Sequence, residues 1–245
     1  MKESNNKFTE KILKKVGRTI NKHSLVAGDD CVLVGLSGGK DSLVMTDILA
    51  RRRRFLPVSY DVIAVHVKLE GVKYSSDIGY LENFCAGRNV KFILHTEAID
   101  WGGGTKNPCF YCSFNRRRIL FQYMKHLGCN RLALGHNMDD AVETFFMNML
   151  FRSRFSSLPY KLSMFGGEFD IIRPLLEIRE AQAAEYARWM NFSEQRVRCP
   201  HENQSNRYKV KKMIEDNEKR YPGFTEKVFY SMGTVDWEYL PSKKD

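Results

Sequence analysis

The sequence predicts an α/β protein: a doubly wound, mainly parallel five-stranded sheet with helices on both faces, preceded by an N-terminal helix and followed by a helical extension. Three observations predict it. Short β-rich runs alternate with runs of helical period from residue 31 onward. Those short runs are apolar throughout, the pattern of strands covered on both faces. No repeat, low-complexity tract or proline-rich linker interrupts the 245 residues. The patterns divide the chain into an N-terminal helix over 1–25, one α/β domain over 26–195 and a C-terminal helical extension over 196–245.

Residues 8–21 form an amphipathic helix. CVLVGL, from Cys31, is a β-rich run ending in glycine and serine, and DSLVMTDILARRRR follows at helical period. YDVIAVHVKL reads as the second strand, SSDIGYLENFCAGR as a helix and VKFILH as the third strand. FNRRRILFQYMKHLG is a helix closed by Gly128, RLALGH a fourth strand, DDAVETFFMNMLF a helix and FDIIRPL a fifth strand. In the extension, NRYKVKKMIEDNEKRY is a polar helix, Pro222-Gly223 breaks it, and a last short helix follows.

A hydrophobic content of 43% suffices for a core, and a net charge of +10 suits a polyanionic partner such as nucleic acid. The N-terminal stretch lacks the apolar core of a signal peptide, and no run of about eighteen apolar residues exists to span a membrane. A cytoplasmic protein without membrane association is therefore expected. The six cysteines lack the dense even spacing of a secreted disulfide framework, so free thiols, metal ligands or redox groups are expected. Cys31, Cys85 and Cys129 read as packing residues.

In doubly wound sheets, ligands bind beyond the carboxyl ends of the strands. SGGKDS, His66, the stretch after His95, and GHNMDD all fall there. SGGKDS comprises Ser37, Gly38, Gly39, Lys40, Asp41 and Ser42. It is shorter than a Walker-type loop and puts Asp41 where that loop has Ser or Thr. Its glycines let successive N–H groups converge on an anion at a helix start, Lys40 adds charge, and Ser37 and Ser42 add hydroxyls. A tight turn without a ligand is the plain alternative.

Asp139 and Asp140 open a helix, where a carboxylate binds magnesium, handles a proton or simply caps. His66, and Gly135 with His136, are candidates for the nucleotide's surroundings; packed histidines are the competing reading. NPCFYCSFNRRR holds Cys109 and Cys112 at the entrance to a helix, and RVRCPHE holds Cys199. A C-x-x-C pair suits zinc, a redox dithiol or an iron–sulfur site.

Ser37-Gly38-Gly39-Lys40-Asp41-Ser42 after a strand resembles the PP-loop of the ATP pyrophosphatase superfamily, which makes 26–195 the PP-loop domain. The resemblance implies ATP cleavage between the α- and β-phosphates, with the turn holding pyrophosphate while AMP passes to a substrate oxygen. Mg2+ bridging the phosphates is then expected from their charge. The order PP-loop, C-x-x-C before Asn-Arg-Arg, GHNMDD, IIRPL, a late Cys-Pro turn and KRYPG resembles the TtcA family of tRNA 2-thiocytidine synthetases.

That resemblance implies a 4Fe-4S cluster on Cys109, Cys112 and Cys199, whose open iron carries the incoming sulfide; zinc with His201 as fourth ligand is the alternative. It implies adenylation of the C2 oxygen of a cytidine in tRNA and its replacement by sulfur. It points to position 32, a cysteine desulfurase as sulfur donor and a homodimer. Arg116 and Arg117 are placed to meet developing negative charge. Arg51 to Arg54, Arg116 to Arg118, Arg152, Arg154, Arg196, Arg198, Lys209, Lys211 and Lys212 are candidates for tracking phosphates, with Phe155, Tyr160 or Tyr208 to stack a base. Where the family has a second C-x-x-C, this chain has Cys199-Pro200-His201-Glu202. The competing functions are a PP-loop enzyme adenylating another base or a small molecule, and a non-catalytic nucleotide- or RNA-binding module.

Overall fold

The structure, a computed structural model, describes residues 7–54, 59–71, 76–99, 108–193 and 206–241. Its described sheet has six strands: β1 (Cys31–Gly35), β2 (Asp61–Glu70), β3 (Lys91–Ala98), β4 (Arg131–Ala133), β5 (Lys161–Met164) and β6 (Phe169–Ile172). They lie in the order β3-β2-β1-β4-β6-β5. Every pairing is parallel except β5 with β6. The sixth strand, β5, is the one the sequence does not announce. KLSM is short, largely exposed and not an apolar run, so its strand character comes from pairing across the Phe165–Gly167 turn.

The helices of the same unit are α1 (Lys7–Lys22), α2 (Lys40–Arg52), α3 (Ile78–Ala86), α4 (Pro108–His126) and, after β6, α6 (Glu180–Trp189). Strand alternation creates two cores. Val32 and Val34 of β1 face a cluster with Ile12, Val16 and Ile20 of α1, Leu43 to Leu49 of α2, Leu81 and Phe84 of α3, and Tyr186 of α6. Leu33, between those valines, faces the other way, with Ile119, Leu120 and Met124 of α4 and Leu132 and Ile171. Successive strand residues point to opposite faces, so one five-residue strand serves both layers. Helix α2 is buried from Ser42 to Ala50, the central helix of its layer.

The strand order reverses between β1 and β4: β2 and β3 lie to one side of β1, and β4 lies to the other. A crevice opens at such a point beyond the carboxyl ends of the strands. The turns that leave β1 and β4, SGGKDS and the start of GHNMDD, border it.

The chain forms two compact units, residues 1–137 with 159–204 and residues 138–158 with 205–245. The second holds α5 (Met138–Arg152), α7 (Asn206–Arg220) and α8 (Phe224–Ser231). Phe146 stacks on Phe224, and Phe155 meets the edge of Phe145. Glu218 of α7 accepts from the N–H groups of Gly223 and Thr225, satisfying donors at the start of α8.

Cys31 and Cys129 correct an expectation. Read as separate packing residues, they are joined as a disulfide with Cα atoms 4.5 Å apart. The β1–β4 register, Val32 opposite Arg131, brings Cys31, the first residue of β1, beside the residues that lead into β4. Cys85 is a buried free thiol, as a packing residue should be.

Candidate nucleotide and cysteine site

The turn after β1 is built as its composition predicts. Gly38 has φ of +86°, a conformation costly for a residue with a Cβ, and Gly39 is the extended residue from which α2 starts. No side chain caps that start; instead Ser42 Oγ donates to Gly39 O at 2.8 Å, and Gly39 N–H donates to Ser37 Oγ at 3.3 Å. The helix N-terminus thus faces the crevice with backbone donors, the arrangement that attracts a phosphate.

Lys40 Nζ lies 2.9 Å from Glu180 Oε1 and 3.3 Å from Asp41 Oδ2. Burial lowers the pKa of its ammonium, but the two carboxylates outweigh burial and hold it above its ordinary value. Lys40 is a fixed positive charge beside the turn at any physiological pH.

Gly135 explains how the loop after β4 reaches this turn. A Cβ built there would sit 3.1 Å from the Asp41 carbonyl carbon and 3.1 Å from Ser42 N, tighter than most Cβ contacts, so glycine favours the approach. Two residues on, buried Asn137 donates to Asp41 Oδ1 at 3.4 Å. His136 is half-buried on the same loop.

His66, on β2, is 2% exposed, and its Nδ1 donates to the carbonyl of Leu36 at 2.7 Å. Burial lowers its pKa, the Leu36 bond opposes this, and the positive charges of Arg116 and Lys68 lower it further. A neutral imidazole therefore braces the root of the turn. The sequence left a place beside the nucleotide and a packed histidine both open for His66; the structure shows a buried ring with a supporting bond.

Helix α4 starts at Pro108, earlier than its FNRRR stretch suggests, so Cys109 and Cys112 both lie in its first turns. Residues three apart share a helix face. Cys112 is a free, partly buried thiol, while Cys199 and the side chain of Cys109 lie outside the described residues. Among the described residues no three His, Cys, Asp or Glu side chains form a metal-binding group. Arg116, four residues beyond Cys112, is half-buried and close enough to His66 to affect its charge.

Asp139 and Asp140 lie in the first turn of α5. In that unit, Arg207 of α7 bonds Asp140 Oδ1 through Nη2 at 2.5 Å and Glu143 Oε2 through Nε at 2.6 Å. Burial raises the pKa of Glu143 despite the attraction of Arg207. Sequence reasoning missed Asn137, which stands inside GHNMDD, and Glu180, Glu143 and Arg207, which stand in no motif it used.

Three of the predicted basic-surface residues are engaged within the fold. Arg51 pairs with Asp47 at 2.9 Å, Arg52 binds Asn21, and Arg53 binds the carbonyls of Arg88 and Asn89. These arginines serve the fold at a helix C-terminus, where positive charge is favourable anyway. Tyr160, a candidate for base stacking, is stacked on His23 with its hydroxyl bonded to Glu177.

A mainly parallel sheet with a two-glycine turn, a lysine and a second loop seated through glycine defines an α/β domain of the nucleotide-binding class, with a helix N-terminus of the kind that attracts phosphate. The PP-loop domain family matches residues 6–215. A tRNA-cytidine(32) 2-sulfurtransferase of Janthinobacterium sp. (strain Marseille) is 33% identical over 98% of this chain and 77% of its own length. Another, of Chromohalobacter salexigens, is 33% identical over 94% of this chain and 82% of its own length. The U34-tRNA thiolase NcsA from Methanococcus maripaludis, solved with its [4Fe-4S] cluster, superposes with a TM-score of 0.76 at 26% identity. That match covers 96% of this chain and 80% of the thiolase chain. The chain belongs to the PP-loop family and, within it, to the tRNA-cytidine(32) 2-sulfurtransferases.

Proposed function

We propose that this chain is an ATP-dependent, iron–sulfur-dependent tRNA sulfurtransferase. It adenylates the C2 oxygen of a cytidine, at position 32, and replaces that oxygen with sulfur, releasing AMP and pyrophosphate. The observation that carries this reading is the two-glycine turn, with Gly38 at φ of +86° and Lys40 at the helix start, in the same unit as the helix that carries Cys109 and Cys112. The relatives' names and the cluster in the thiolase support it.

The N–H groups after Gly38 and the charge of Lys40 receive the phosphates, and they hold pyrophosphate as the bond to the α-phosphate breaks. Asn137 and Gly135 hold the second loop against Asp41 and Ser42. Asp139 and Asp140, in the first turn of α5, are assigned the magnesium ion or the proton, oxygen donors being what Mg2+ requires, and Arg207 bonds Asp140. Arg116 offsets negative charge that develops when the adenylated C2–O bond breaks and AMP leaves.

Thiolates three apart on a helix turn fit an iron–sulfur cluster by donor chemistry, with Cys199 as the third ligand. A cluster bound there supplies the sulfur for the new C–S bond. A cysteine desulfurase as donor, Mg2+, a homodimer and a cytoplasmic location belong to the same proposal; among the described residues no helix is long and apolar enough to cross a membrane. In this reading residues 1–25 brace the PP-loop domain of 26–195, and the extension of 196–245 brings Cys199.

The test is iron and acid-labile sulfide content of anaerobically purified protein and of Cys199→Ala, followed by thiolation of tRNA lacking 2-thiocytidine. About four irons per chain, lost in the variant, and ATP-dependent 2-thiocytidine are expected. Zinc without iron overturns the cluster. Iron without thiolation of any tRNA overturns the substrate.

A further inference from the structure

Residues 149–156, the end of α5 and the turn after it, are all exposed. Phe151 is 50% and Phe155 51% exposed, and Arg152 and Arg154 stand between them in sequence. Among the described residues neither guanidinium bonds an oxygen, in contrast to those of Arg51, Arg52 and Arg53. No acidic residue occurs from Thr144 to Leu158. The helix dipole favours a cation at Arg152, but it gives no reason for a second arginine past the helix end or for two open phenylalanines. The turn is also held in one shape. Ser153 takes φ of +50°, a strained value for a residue with a Cβ, and Arg154 N–H donates to Asn148 O at 3.2 Å. Asn148 Nδ2 donates to Ser156 O at 3.0 Å and to Ser156 Oγ at 3.1 Å. Buried Phe145 meets the Phe155 ring edge to face, 5.0 Å between centroids, and so anchors it on one side.

We propose that the turn from Phe151 to Phe155 binds an unpaired stretch of the RNA substrate, with bases stacked on the two phenylalanines and phosphates on Arg152 and Arg154. The inference rests on the tRNA-thiolating reading above. Every base has a π-face, so aromatic side chains hold single strands whatever their sequence, and arginines meet the phosphates between the bases. A turn already fixed in shape loses little conformational entropy on binding. Met149 and Leu150 are exposed beside it, which makes a second copy of the chain the competing occupant. A two-fold contact would set this patch against itself and bring two pairs of unpaired arginines together, in a chain of net charge +10. Charge therefore favours the polyanion.

The experiment measures binding of holoenzyme to a fluorescent anticodon stem–loop and to a fully paired duplex over a range of salt concentrations. Iron content, ATP affinity and oligomeric state are recorded for each protein. The variants are Arg152→Ala combined with Arg154→Ala, Phe151→Ala, Phe151→Tyr, and Phe155→Leu, which keeps an apolar side chain against Phe145. Lys11→Ala combined with Lys14→Ala is the control, removing the same charge from exposed positions of α1. Loss of the two arginines should lower the slope of log affinity against log salt by about one for each, and the lysine control should not. Phe151→Ala should weaken stem–loop binding on the order of 5- to 100-fold and leave duplex binding, ATP affinity and iron unchanged. Phe155→Leu should act in the same direction, and Phe151→Tyr should bind like the parent. An arginine pair that matches the lysine control, or phenylalanine variants that bind the stem–loop like the parent, overturns the proposal. A change of oligomeric state in Phe151→Ala with RNA affinity intact overturns it in favour of a second copy. If the parent thiolates tRNA and every variant binds it equally, the turn alone fails. If the parent neither binds nor thiolates tRNA, the functional reading fails with it.

Discussion

Arg207 closes on Asp140 at 2.5 Å, and the same guanidinium reaches Glu143 at 2.6 Å. An arginine from the C-terminal extension thus holds the second aspartate of GHNMDD. Arg207→Ala leaves nearly buried Glu143 without this cation, and the expected loss of stability is about 1–3 kcal/mol. Half-exposure of the arginine side chain keeps it below the cost of a fully buried pair. Denaturant unfolding of Arg207→Ala and of Arg207→Ala with Glu143→Gln checks it: the second change should restore part of the loss. An unaltered midpoint in the single variant would remove Arg207 from this role.

Gly135→Ala inserts a Cβ 3.1 Å from the backbone of Asp41 and Ser42, and backbone cannot swing aside as a side chain can. The loop must lift from the phosphate turn. The variant should lose about 1–3 kcal/mol of stability and bind ATP at least tenfold more weakly, as thermal denaturation and calorimetric titration would reveal. Parent-like ATP affinity would mean the two loops act independently.

Glu180 and an ATP phosphate compete for Lys40. Glu180→Gln removes the competing charge and should tighten ATP binding by up to about fivefold, the limit for a pair this exposed. Lys40→Ala should abolish pyrophosphate release, and in that background the Glu180 change should have no effect on ATP affinity. Weaker ATP binding by Glu180→Gln alone would show that Glu180 positions Lys40 instead of competing for it.

His66 makes stability depend on pH. Its folded pKa lies below the ordinary 6.5, so between the two values the unfolded chain binds more protons. Stability is fully present above about pH 6.5 and falls as pH drops toward the lowered value, with a limiting slope of about 1.4 kcal/mol per pH unit. His66→Asn should flatten that stretch of the curve. An identical slope in the variant would assign the dependence to other groups.

How much of this was legible depended on where the information lay. β1, the glycine turn and α2 follow one another in sequence, and their apolar run, glycines and helical period declare them locally. The Arg51 to Arg54 run was visible too, as the weakest of the phosphate-tracking candidates, but the partners of Arg51, Arg52 and Arg53 were not. β5 was hidden because a short polar edge strand has no pattern of its own.

The sequence by itself determined the parallel α/β class, the phosphate turn, the C-x-x-C helix and the family, because each is written in neighbouring residues or in their order. The tertiary structure decided which side chains meet. Lys40 and Glu180 are 140 residues apart, Cys31 and Cys129 are 98 apart, and Arg207 and Asp140 are 67 apart. Periodicity reports which face of an element is buried, but not which distant element lies against it. For the first two pairs, strand order, with β1 between β2 and β4, brings the loops after β1, β4 and β6 to one edge and Cys31 to Cys129. For the third, the packing of α7 with α5 brings a guanidinium to a carboxylate.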